Sequence, residues 1–133
     1  MRILMLDLDN FSDINESFGH ETANKLLIEV VSLVSNIISS HGIIARYGGD
    51  EYSILLPETD LKKALSIAEQ IRANVEAMDF SKTIPIENIK ATISIGISSF
   101  PETVMEITAF REKADASLYK AKKTGRNRVA YIE

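Results

Sequence analysis

The sequence predicts an α+β sandwich, a mainly antiparallel sheet with helices packed on it, and three observations lead there. Ile43-Ile44-Ala45-Arg46-Tyr47 and Tyr52-Ser53-Ile54-Leu55-Leu56 are β-rich runs flanking Gly48-Gly49-Asp50-Glu51, a short Gly-containing connection of the kind that closes a hairpin. Three further segments repeat apolar residues at helical spacing. The elements follow one another as β-α-β-β-α-β-α-β, with one obvious hairpin in the middle. That hairpin forces antiparallel neighbours, which disfavours a doubly wound parallel sheet.

Residues 2 to 8 read as a strand with both faces apolar, since Ile3 and Met5 alternate with Leu4, Leu6 and Leu8; such a strand belongs in the middle of a sheet. From Ala23 the positions Leu26, Leu27, Val30, Val34, Ile37 and Ile38 fall at helical spacing, with Gly42 as a stop after Ser39-Ser40-His41. A second helix follows the hairpin. Leu61, Ala64, Leu65, Ala68, Ile71, Val75 and Met78 form its stripe, and Pro57 with Thr59 or Asp60 marks its start. Residues 79 to 89, with Pro85, read as a loop with room for a short strand. Ala91 to Ser99 is the next strand, Ile93, Ile95 and Ile97 on one face and Thr92, Ser94 and Gly96 on the other. A helix over about Thr108 to Lys123, ordered by Phe110, Ala114, Leu118 and Ala121, stops near Gly125, and Val129 to Ile132 forms a last short strand.

The chain has 133 residues, which suits one domain, 1–133, with a single core. Its 45% hydrophobic and 26% charged fractions are those of a globular protein rather than a disordered one. No window approaches the ~20 uninterrupted apolar residues of a membrane span, and Asp7 and Asp9 cut the apolar start too early for a signal peptide. The expectation is a soluble, cytoplasmic domain with no direct membrane insertion. Without cysteine there is no disulfide, no thiolate nucleophile and no Cys-ligated zinc. A formal charge of −4 argues against broad capture of DNA or RNA, which needs a dense basic face. A small anionic ligand would need a local basic cluster or a metal ion.

Two acidic clusters sit where strands give way to loops. Asp7 and Asp9, two apart, can place both carboxylates on one face, and Asp50 and Glu51 occupy the hairpin tip. If the two strands are neighbours, three or four carboxylates converge, and their repulsion is costly unless cations sit among them. Hard oxygen ligands suit Mg²⁺ or Mn²⁺, which bridge phosphate oxygens. Acids at such places are otherwise simply solvated. Gly48-Gly49 permits either close ligand approach or merely a tight turn. Lys120, Lys122, Lys123, Arg126 and Arg128 either clamp phosphates from a helix end or complement the helix dipole in water. Asn15 and Asn24 either read a nucleobase edge or cap a helix. His20 and His41 have no second His or Cys at metal-binding spacing and read as structural.

Taken together, Asp7-Leu8-Asp9-Asn10-Phe11, Ile14-Asn15, Phe18-Gly19-His20, Ala45 to Tyr52, Ser94-Ile95-Gly96, Ala114-Asp115, Leu118-Tyr119, Ala121-Lys122 and Gly125-Arg126-Asn127-Arg128 stand in the order and approximate spacing of the GGDEF family. The sequence resembles a diguanylate cyclase domain from about residue 3 to its end, with Tyr52 in place of the signature's Phe. The resemblance implies a palm-like (ferredoxin-like) fold and condensation of two GTP into cyclic di-GMP and two pyrophosphates. Carried over by position, Asp7 and Asp50 hold Mg²⁺ or Mn²⁺ with the backbone carbonyl of Leu8, and Glu51 assists the second ion or helps deprotonate the ribose 3′-hydroxyl. Lys122 and Arg126 grip the phosphates, Gly48 and Gly49 let the triphosphate lie against the hairpin, and Asn15 contacts guanine. Each site makes half the product, so turnover needs a homodimer, and an upstream sensor or regulatory domain is implied.

The sequence departs from the family's pattern in four places. Asn24 replaces the Asp that accepts hydrogen bonds from guanine, which loosens purine choice. Ser12 replaces a Lys and removes a phosphate-side cation. Ser39 and Gly42 replace the Arg and Asp of the product-inhibitory R-x-x-D motif, so that feedback is expected to be absent. The family's preceding helical segment with D-x-L-T-G-L-x-N-R is missing, as in a fragment or an abbreviated protein, which leaves a catalytically weak or regulatory nucleotide-binding module as the alternative.

Overall fold

The computed structural model describes residues 1–48, 51–81, 84, 89–99 and 107–132. Strand β1 (Arg2–Leu8) lies at the centre of a five-stranded sheet. Its two apolar faces require that position, because leaving either in water would expose Leu4, Leu6 and Leu8 on one side or Ile3 and Met5 on the other. It runs antiparallel to β3 (Glu51–Leu56), with Leu4 opposite Ile54 and Asp7 opposite Glu51. On its other side it runs antiparallel to β4 (Ile93–Ser99), with Asp7 opposite Ser94. The hairpin partner β2 (Ile43–Gly48) forms one edge, and β5 (Val129–Tyr131) pairs in parallel with β4 at the other, giving the order β2-β3-β1-β4-β5. The α+β class and the mainly antiparallel sheet thus stand as expected.

Period-2 alternation sends Leu4, Leu6 and Leu8 with Ile93, Ile95 and Ile97 into the main core, where they meet α2 (His20–Ile38) through Leu26, Val30 and Val34 and α3 (Leu61–Glu76) through Ile67 and Ile71. The opposite face packs Ile3 and Met5 against Ala114 and Leu118 of α4 (Ile107–Lys123). The side chain of Phe110, expected on that stripe, lies outside the described residues. Gly96 sets how closely α4 approaches. A Cβ there would stand 2.6 Å from the Ala114 carbonyl oxygen and closer still to the Leu118 backbone nitrogen, so the helix rests directly on the strand backbone.

Two features differ from the sequence expectation. A short helix α1 (Phe11–Phe18) precedes α2, and the two meet at Gly19, whose φ of +89° ends one helix while its carbonyl accepts from Ala23 N at 3.1 Å in the next. Phe11, Ile14 and Phe18 carry α1's apolar spacing, but eight residues are too few for that period to declare itself. At the far end α2 closes at Ile38, and Ser39–His41 tightens into a 3-10 turn before Gly42. In the segment 79–89, Phe80, Ile84 and Ile89 are buried, Ile84 N donates to Phe80 O at 2.8 Å, and no strand occurs among the described residues; Pro85 lies outside them.

The stretch His20–His41 is long and apolar enough to cross a membrane by length and composition, with a mean hydropathy of 1.2. Its Ala23, Leu26, Leu27, Val30, Val34 and Ile38 are the residues buried in the core, so this apolar face is already occupied by the sheet and α3. Helix α3 begins where the sequence placed it, with Asp60 accepting from Lys63 N at 2.7 Å. Asp60→Ala should cost about 1 kcal/mol, seen as a lower urea midpoint at unchanged m-value.

Candidate active site at the end of the central strand

The site grows from the last residues of β1. Asp7 points to the α4 side, 8% exposed, and accepts from the Nζ of Lys122 in the helix's last turn. Lys120 and Lys123 share that turn, where cations also complement the negative end of the helix dipole. Glu51, directly across on β3, brings a second carboxylate beside the first. Gly48 ends β2 opposite Glu51, with a register shift after Arg46. Gly49 and Asp50 lie outside the described residues.

Asp9 also faces the α4 side, as its spacing from Asp7 suggested, but it has another task. Buried to 3% exposure, its carboxylate accepts from Ser94 Oγ at 2.6 Å, Thr92 Oγ1 at 2.7 Å and the backbone N–H of Asn127 at 2.8 Å. With three donors it belongs to the scaffold, which corrects the picture of Asp9 converging with the other acids. Past Asp9, Asn10 adopts a left-handed φ of 57° and the chain turns into α1.

That turn opens a cavity of about 450 Å³ lined by Asp7, Leu8, Asn10, Phe11, Ser12, Asn15 and Arg126. Four sequence-named residues, Asp7, Leu8, Asn15 and Arg126, therefore share one space. Glu51 and Lys122 line a neighbouring hollow of about 240 Å³ with Asp115 and Tyr119, and Asp7 joins the two through its ion pair and its cross-strand partner. Asn24 is exposed on α2, where it lines a third depression, of about 360 Å³, beside Ile28, Arg46 and Tyr52. Asn10 and Phe11 line the main cavity without having been given a role; their one signal was adjacency to Asp7-Leu8-Asp9.

The loop after α4 carries Arg126 to the cavity. Gly125, Arg126 and Asn127 have φ values of 134°, 63° and 45°, and Arg126 N donates back to Ala121 O at 2.9 Å in a helix-ending bond. Asn127 ties the loop to α3, where its Oδ1 accepts from Arg72 Nη1 at 3.1 Å and its amide donates to Glu76. Arg72 also donates to Glu69. These bonds, and then its charge, hold the Glu69 carboxyl below its ordinary range, while the same bonds raise Arg72. A depressed carboxyl contributes stability that is complete above its unfolded pKa and is lost as pH falls through the folded value. Glu69 is more than half exposed, so solvent screens most of it.

The donors suit a hard divalent cation. Asp7 and Glu51 stand opposite each other on paired strands, an arrangement of like charges that a cation stabilises, and the Lys122 ammonium already sits on Asp7. Among the described residues no three acidic or imidazole side chains gather as a metal site, so an ion here would rest on one or two carboxylates with water, backbone carbonyl or substrate phosphate completing its shell. Mg²⁺ is commonly bound in that way.

The fold and this strand-end site define a class, the GGDEF-type α+β domain. The active GGEEF domain of a diguanylate cyclase from Vibrio cholerae superposes with a TM-score of 0.90 at 33% identity, covering 99% of this chain and 82% of that one. The coiled-coil and GGDEF structure of DgcB from Caulobacter crescentus, in complex with c-di-GMP, also reaches 0.90, at 28% identity over 98% of this chain and 69% of the other. The chain belongs to the GGDEF family, whose profile, "Diguanylate cyclase, GGDEF domain", matches residues 1–128. Diguanylate cyclase A of Treponema denticola is 37% identical over 131 residues, 97% of this chain and 34% of that protein. The chain spans about a third of the length of the curated relatives it matches.

Proposed function

We propose that this domain, 1–133, is a diguanylate cyclase unit that joins two GTP into cyclic di-GMP with loss of two pyrophosphates. One observation carries the reading: Asp7, paired with Lys122 and facing Glu51, borders a cavity that also holds Asn15 and Arg126. In each half-reaction a ribose 3′-oxygen attacks an α-phosphorus, pyrophosphate departs, and the hydroxyl proton passes to Glu51 or to solvent. Asp7, Asp50, Glu51 and the Leu8 carbonyl would hold Mg²⁺ or Mn²⁺, which supplies charge neutralisation at the phosphates and a more acidic 3′-hydroxyl. Lys122 and Arg126 hold the triphosphate, Gly48 and Gly49 let it lie along the hairpin, and Asn15 orients guanine.

Each site supplies half the product, so two domains face each other in a homodimer, in the cytoplasm and under an upstream regulatory domain. Ser12 and Asn24 modify this scheme. Ser12 lines the cavity without a charge, which lowers triphosphate affinity, and Asn24, an amide in place of a carboxylate, leaves a cyclase of altered purine specificity as the alternative. In the limit of weak affinity the domain would be a nucleotide-binding regulator without turnover.

The test is incubation of concentrated protein with GTP and Mg²⁺ or Mn²⁺, with an ATP-plus-GTP sample alongside, followed by mass-resolved chromatography. Metal-dependent cyclic di-GMP and pyrophosphate are expected, and their absence from a nucleotide-bound dimer would leave only the regulatory reading. Asp50→Ala should abolish turnover with no loss of fold, since a hairpin-tip acid adds little to a core. Cyclisation at the parent rate by that variant would remove Asp50 from the site.

A further inference from the structure

Arg126 reaches the cavity from an exposed loop, and nothing in its own side chain accounts for its being held there. Its neighbour does. We propose that Asn127 is a positioning residue that fixes Arg126 over the cavity, locked by Asp9 through its backbone and by Arg72 and Glu76 through its side chain. The inference rests on the cyclase reading and extends it to a residue outside the set that touches substrate.

The geometry is a three-way tie. Asp9 follows the end of the central strand and is itself fixed by Thr92 and Ser94 of the adjoining segment, so the Asn127 N–H is bound to a buried, hydrogen-bonded carboxylate at the end of the sheet. Arg72 and Glu76 belong to α3 on the opposite face, and Asn127 presents an acceptor to one and a donor to the other. A primary amide, with its acceptor oxygen and donor nitrogen on separate atoms, can satisfy a guanidinium and a carboxylate together. Asn also tolerates the left-handed φ of 45° that this turn imposes. With both sides of residue 127 anchored, Arg126 at φ 63° has little freedom except in its own side chain, and its guanidinium is presented to an anion without first ordering the loop.

The test uses 3′-deoxy-GTP with Mg²⁺, which lacks the nucleophile and so binds without turnover, and GMP, which lacks the β- and γ-phosphates. Asn127→Gly keeps the backbone N–H and the left-handed turn while deleting the amide. Calorimetry should show its Kd for 3′-deoxy-GTP raised about tenfold, the scale of one charge-assisted contact, with GMP affinity unchanged. In an Arg126→Ala background the same substitution should change Kd less than about twofold, because coupled groups are not additive. Glu76→Ala, on an exposed helix face, should act in the same direction and keeps the test open if Asn127→Gly does not fold. Equal weakening of GMP, or an undiminished effect without Arg126, would overturn the positioning role and leave the cyclase reading intact. A parent protein that binds no 3′-deoxy-GTP would overturn both.

Discussion

Asp7→Asn is expected to cut cyclic di-GMP formation by on the order of 10²–10³-fold or more, the scale on which a lost transition-state charge contact is felt, while the protein still folds. The amide keeps the shape of the carboxylate and its oxygen can accept from the Lys122 ammonium, so the ion pair becomes a hydrogen bond from a charged donor to a neutral acceptor and the ammonium is not orphaned. What goes is the negative charge at the head of β1, and with it the means of holding a divalent ion against the nucleotide. Thermal unfolding beside a product assay separates the two effects. Parent-rate turnover by a folded Asp7→Asn protein would remove Asp7 from the chemistry, and a folded variant that still binds nucleotide but makes no product would fix its role there.

Among the glycines Gly19, Gly42, Gly96 and Gly125, Gly96 should be the most damaging to change to Ala, with stability lowered by about 3 kcal/mol or more, at the upper end of overpacking costs. The new Cβ would meet backbone atoms of Ala114 and Leu118, which cannot rotate aside as a side-chain end can, so α4 must lift from the sheet. Gly19→Ala is the control. It meets nothing within 4 Å, so its cost is backbone strain alone, about 1–3 kcal/mol for a side chain held at φ +89° and ψ 163°. Urea unfolding of both variants measures the difference. Because α4 carries Lys122 and leads into the Arg126 loop, Gly96→Ala should also weaken nucleotide binding, whereas Gly19→Ala acts on the α1 side of the cavity.

The parts of the fold that were legible are those with a complete local pattern. Central β1 declares itself by apolar residues on both faces, β4 by alternation of isoleucines with small residues, and α3 by its stripe and Asp60. Helix α1 did not, because its two turns end at Gly19 before a period is established. The direction of β5 is equally absent from local pattern, since three residues alternate alike in a parallel or an antiparallel pair. In the site, the positions of Asp7, Leu8, Asn15, Lys122 and Arg126 came from their resemblance to a family. Their being neighbours depends on contacts such as Asp7 to Lys122 that join opposite ends of the chain. Asp9 shows the same limit in reverse. Its two-residue spacing from Asp7 signalled a shared face, but the donors that claim it come from positions 92, 94 and 127.

The central place of β1 has a further bearing on how this chain reaches its native state. During synthesis the apolar run Ile3 to Leu8 leaves the ribosome before either strand that will flank it, β3 beginning at Glu51 and β4 at Ile93. Until both have emerged, the run presents unsatisfied backbone groups and two greasy faces, the conditions under which nascent segments adhere to one another or to chaperones. The sheet can close only after most of the polypeptide is available, so its contacts are long-range and its assembly correspondingly slow. The acidic residues within and just after the run, Asp7 and Asp9, then serve before any chemistry begins: their charges interrupt a segment prone to premature association.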